Sequence, residues 1–73
     1  MTTKLTLQIA SLPDREYVVA ELWYGDVQWG ELSQKQGSLL TLEIYPNPTG
    51  NPWAFEFNDV VEILAQAKCS LVR

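Results

Sequence analysis

Hydrophobic and polar side chains take turns from Lys4 onward, with Leu5, Leu7 and Ile9 on one side of the chain and Thr6 and Gln8 on the other. A period of two is that of a half-buried strand, predicted here from Lys4 to Ala10. Ser11-Leu12-Pro13-Asp14 ends it, because proline removes a backbone donor and aspartate bonds its own backbone. A helix begun at Pro13 competes for the next stretch, but Tyr-Val-Val and Leu-Trp-Tyr between Tyr17 and Tyr24 favour a second strand. Gly25-Asp26 then suits a type II′ hairpin turn. A two-residue loop sets Tyr24 opposite Val27, Trp23 opposite Gln28 and Leu22 opposite Trp29, and a third strand runs from Val27 to about Ser33.

Lys35-Gln36-Gly37 marks the following turn. A four-residue loop from Gln34 to Gly37 pairs Ser33 with Ser38, Trp29 with Leu42 and Val27 with Ile44. Both loops have even length, so one face of an antiparallel sheet collects Leu5, Leu7, Ile9, Val18, Ala20, Leu22, Tyr24, Val27, Trp29, Leu40, Leu42 and Ile44 as its core side. Glu31 shares that parity and is expected at a rim, where its carboxylate reaches water, since an unpaired buried charge costs several kcal/mol.

Three of the four prolines fall in Tyr45-Pro46-Asn47-Pro48-Thr49-Gly50-Asn51-Pro52, which cannot continue a ladder and is read as a stiff crossover. Trp53, Phe55 and Phe57 alternate in a short extended piece expected to deliver apolar side chains beneath a helix. Asn58 or Asp59 is the expected cap, with Asp59-x-x-Glu62 as an imperfect capping box. From Asp59 to about Val72, Val60, Ile63, Leu64, Ala67 and Leu71 recur at spacings of three and four, while Asp59, Glu62, Gln66, Ser70 and Arg73 line the other side. The expected fold class is therefore α+β: a four-stranded antiparallel meander, order 1-2-3-4, packed on one C-terminal helix as a single domain over residues 1–73.

Composition narrows the chemistry. With 47% apolar residues and eight aromatics among 73 residues, the chain has the apolar area that folding requires. A domain of this size buries only about 60% of its unfolded surface, so modest stability is expected and dimerisation would raise it. The sequence contains no histidine, which removes the usual general base and every Ser-His or Cys-His arrangement. One cysteine, Cys69, cannot build a thiolate zinc site; it reads as a small semi-buried residue near a helix C-terminus, where the dipole disfavours a thiolate. No phosphate-cradling glycine motif and no calcium-loop spacing occurs. Glu21 and Glu43 share the outer face two strands apart, a carboxylate pair with no cleft predicted around it. The expectation is of no enzymatic activity, no cofactor and no metal.

The formal net charge of −4, with Lys4, Arg15, Lys35, Lys68 and Arg73 scattered, argues against nucleic acid as a partner. No apolar run approaches the roughly 20 residues of a membrane span, so a cytoplasmic location is expected. What remains is the outer face of the sheet. In the inferred register Val19, Leu32 and Leu39 line up in a row across three strands, flanked by Tyr17 and close to Trp23 and Tyr45. A patch of this kind marks a contact with another protein or a second copy. Two structural alternatives dissolve it: the Pro-rich loop or the Trp53–Phe57 segment folds over that face, or the register of one strand slips by a residue.

From Trp29 onward the strings W-x-E-L, L-x-L-E-I-Y-P-N-P-x-G-N-P-W-x-F and a helix carrying A-Q-A-K resemble small uncharacterised bacterial proteins of sheet-then-helix type. They are also loosely similar to immunity proteins that neutralise polymorphic toxins. That likeness implies a stoichiometric inhibitor docking by surface complementarity, and mild acidity would speed encounter with a basic partner. It carries no functional residue. The sequence thus points to a non-enzymatic protein-interaction module. A small-molecule-binding or regulatory domain, with its site between helix and sheet or at a dimer seam, is the alternative.

Overall fold

The structure, a computed structural model, describes residues 4–11, 17–34 and 39–71. Four strands, β1 (Leu5–Ser11), β2 (Val18–Tyr24), β3 (Val27–Ser33) and β4 (Thr41–Ile44), form one antiparallel sheet in the order β1-β2-β3-β4, and one helix, α1 (Phe57–Leu71), comes after them. This is the α+β arrangement that the alternating and helical periods predict. The break at Leu12-Pro13-Asp14 and the turn at Lys35-Gln36-Gly37 lie outside the described residues, as do Val72 and Arg73.

The β2–β3 hairpin begins in the expected phase. Gly25 has φ +61°, as the first central position of a type II′ turn requires, and Tyr24 faces Val27 and Trp23 faces Gln28. One step further the register shifts. A β-bulge sets Leu22 opposite Gly30 instead of Trp29, and every later pair moves with it: Glu21 faces Glu31, Ala20 faces Leu32 and Val19 faces Ser33. Trp29 is the extra residue. Strict alternation would have put Glu31 on the apolar side and Leu32 on the polar one. The bulge keeps Trp29 in the core and reverses the facing of each later β3 residue, gaining about 1.5–3 kcal/mol from burying Leu32 and moving the Glu31 carboxylate off the apolar face.

The β3–β4 register differs from expectation by three positions. Leu32 faces Leu42, Glu31 faces Glu43 and Gly30 faces Ile44, so Trp29 does not pair with Leu42, Val27 does not pair with Ile44, and Ser33 faces Thr41 in place of Ser38. Two odd shifts restore the parity of β4. Leu42 and Ile44 still belong to the core side of the sheet.

The core joins Leu5, Ala20, Leu22, Trp29 and Leu32 of the sheet to Ile63 and Ala67 of α1, with Leu7, Leu40, Val60, Leu64 and Leu71 packed against them. Trp53 and Phe55 cover the hairpin end: Phe55 lies 4.9 Å from the Trp29 ring and 5.4 Å from Tyr24, centroid to centroid, and Trp53 stacks on Phe55 at 5.6 Å. The Trp53 indole donates to the Tyr45 carbonyl at 2.8 Å, tying the loop back to the end of β4. Phe57 departs from this alternation. It is the first residue of α1 and points outward, because the helix begins two residues earlier than the cap signals suggest.

Glu56, not Asn58 or Asp59, is the cap. Its carboxylate accepts the Asp59 N–H at 2.8 Å and its carbonyl accepts the Val60 N–H at 3.2 Å. One orphan donor of the first turn is thereby satisfied, and a negative charge sits at the positive end of the helix dipole. Glu56→Ala is expected to lower stability by about 0.5–1 kcal/mol, read as a shift in urea midpoint; an unchanged midpoint would show that solvent caps the helix equally well.

Candidate functional site

The reverse face of the sheet, opposite α1, is not the apolar surface that its inferred register describes. Its three cross-strand rows are Thr6-Trp23-Gln28, then Gln8-Glu21-Glu31-Glu43, then Ala10-Val19-Ser33-Thr41. Val19 lies on this face but is fully buried. Leu32 has crossed to the core at 6% exposure, while Leu39 precedes β4 and is 87% exposed. The row of Val19, Leu32 and Leu39 therefore does not exist, and its cause is the bulge at Trp29. Of the other proposed contact residues, Tyr17 is half-buried just before β2, and Trp23 and Tyr45 are half-buried on the reverse face. The Trp23 indole donates to Glu21 at 3.4 Å, and the Tyr45 hydroxyl donates to the Glu31 carboxylate at 3.1 Å.

The bulge also assembles something the predicted register misses. Glu21, Glu31 and Glu43 stand side by side on three adjacent strands. Glu31, expected at a wet rim of the core face, is instead buried on the reverse face under Tyr45. Like charges directly opposite each other weaken a sheet, so this row has an energetic cost that the Tyr45 hydrogen bond partly offsets. Among the described residues no group of three or more acidic or cysteine side chains gathers as metal ligands would.

A second surface lies on the core side. Helix α1 touches β1, β2 and β3 but not β4. The polar flank of the helix is placed by its neighbours, since Asp59, Glu62 and Gln66 line a shallow cleft with Leu5 on β1. At 100° per residue, Phe57 and Val61 fall on the opposite flank, toward the strand that the helix leaves bare. Both are exposed, at 76% and 48%, and so are the core-side residues of that strand, Leu42 at 39% and Ile44 at 61%. Simple dimensions held the signal. A helix is about 10–12 Å wide, whereas four strands about 4.8 Å apart span more than that, so an edge strand of a sheet with a single helix stays uncovered.

The seam between α1 and β1 holds a cleft of about 270 Å³ lined by Lys4, Leu5, Tyr24, Ala54, Phe55, Glu56 and Asp59, and the smaller one of about 110 Å³ beside Gln66. Both fall below the roughly 300–1,000 Å³ of typical ligand sites. Cys69, read as semi-buried, is exposed on the outer side of the helix. Among the described residues no helix is long and apolar enough to cross a membrane. No protein-family model matches the chain, and neither a curated protein nor a solved structure was found to match it.

Proposed function

We propose that the chain is a non-enzymatic protein-interaction module acting in the cytoplasm, and that its contact surface is the bare side of β4 with the facing flank of α1. The observation that carries this reading is the joint exposure of Leu42, Ile44, Phe57 and Val61 beside β4, the strand at the edge of the sheet among the described residues. Single exposed apolar residues are ordinary on soluble proteins. Four on one side, next to an edge with which no other described strand pairs, are what monomers avoid and interfaces use. The likeness to immunity proteins supports the same class of function, and the formal net charge of −4 would speed encounter with a basic partner.

A photoreactive benzophenone side chain placed at Ile44 tests the surface against the same probe at Gln8, which is exposed on the opposite edge strand. Irradiation in expressing cells is expected to join protein at position 44 and not at position 8. Equal yields at both positions, or none at 44, would overturn the reading.

A further inference from the structure

We infer that β4 is a detachable strap, which lifts from the edge of β3 as a unit while β1, β2, β3 and α1 stay folded. The sheet then has a closed four-stranded and an open three-stranded form. The motion needs no partner and stands whether or not one binds. Among the described residues, every member of the buried apolar cluster belongs to β1, β2, β3 or α1, and none to β4. Helix α1 does not touch β4, and all four residues of the strand are exposed. Lifting the strap therefore leaves the cluster assembled.

The ladder that holds β4 is also the weaker one. It has four cross-strand pairs with β3, against seven between β1 and β2. One of the four sets Glu43 against Glu31, and like charges directly opposite weaken a sheet. At the other edge α1 packs on β1 and Leu5 is buried. A short ladder, exposed side chains and few apolar contacts place a segment at the low end of local stability.

A latch closes the strap at one end. Tyr45, the residue after β4, donates its N–H to the Trp29 carbonyl at 2.9 Å and its hydroxyl to the Glu31 carboxylate at 3.1 Å, and its carbonyl accepts the Trp53 indole at 2.8 Å. Opening breaks these bonds, but Trp53 keeps its ring contacts with Phe55 and Tyr24. Opening also brings Leu32 and Glu31, both buried at the closed edge, toward water, and the loss of burial and bonding keeps the closed form the major one. What it creates is a new sheet edge, the backbone of β3, which the closed form hides.

Native-state hydrogen exchange in rising, sub-denaturing urea tests the motion. By strand alternation from Tyr45, the Glu43 amide is also directed to β3. These two amides are expected to share one protection factor, about a hundredfold below the best-protected β1–β2 amides, with a much weaker urea dependence because little surface is exposed on opening. Ile63→Val alters the cluster that survives opening, so it should speed β1–β2 exchange about fivefold and leave Glu43 and Tyr45 unchanged. Tyr45→Phe removes a bond made only in the closed form and should speed both sets by the same factor, about tenfold. Equal speeding of both sets by Ile63→Val, or one urea slope common to both, would mean that β4 leaves only when the whole chain unfolds and would overturn the strap. Exchange at Glu43 untouched by Tyr45→Phe would overturn the latch.

Discussion

Leu32→Glu should leave the chain unfolded at room temperature, while Leu39→Glu should be folded and close to wild type in stability. A strictly alternating register treats the two leucines as neighbours on one exposed face, and the structure separates them completely. Leu32 lies between Ala20 and Leu42 on the core side and belongs to the cluster that meets Ile63 and Ala67. Replacing it forfeits about 1.5–3 kcal/mol of apolar burial and adds a carboxylate with no partner in apolar surroundings, a further several kcal/mol. At about 0.05–0.15 kcal/mol per residue a chain of 73 residues has roughly 4–11 kcal/mol in all. Loss of amide dispersion in a proton–nitrogen correlation spectrum checks the outcome. A cooperative urea transition in Leu32→Glu at the wild-type midpoint would mean that the bulge is misplaced.

Gly30→Ala carries the second large effect. A β carbon at this position would stand 2.6 Å from the Glu43 carbonyl oxygen, a backbone atom that moves only if β4 moves. The expected cost is about 3 kcal/mol, the upper range for overpacking that forces a backbone shift. Hydrogen exchange should localise it, with the amide of Tyr45, bonded to Trp29, losing protection before those of the β1–β2 ladder. Equal protection at Tyr45 in both proteins would show that the two strands absorb the methyl group without parting.

Much of the architecture can be read from the chain because its signals are local. Alternation finds β1, the Gly25-Asp26 pair finds the hairpin and its first two cross-strand partners, and the three-and-four spacing finds the buried stripe of α1. The bulge is different in kind. Nothing in Trp29 announces it, since the choice between Glu31 and Leu32 as the inward residue is settled only when β2, β4 and α1 are assembled around them. Gly30 was the available hint, because an isolated glycine within a strand accompanies a bulge or a close backbone approach, and here it marks both. The loss of Leu32 from the predicted contact surface descends from that one displacement, while Leu39 is set apart by where β4 begins and Val19 by its burial. The bare strip of β4 was hidden for another reason: it depends on the width of α1 against the width of the sheet, a quantity no residue pattern encodes.

Trp29 takes up a residue's length without advancing the ladder, so β3 holds one unit of slack. Slack of this kind decides what a change in length does. Losing Trp29 itself would straighten the strand and leave Glu31 opposite Glu21 and Leu32 opposite Ala20, whereas one residue more between Gly30 and Glu31 would send those two side chains to each other's compartments. β3 can therefore give up one residue at the bulge, forfeiting the Trp29 side chain but no pairing, and cannot take one on beyond it.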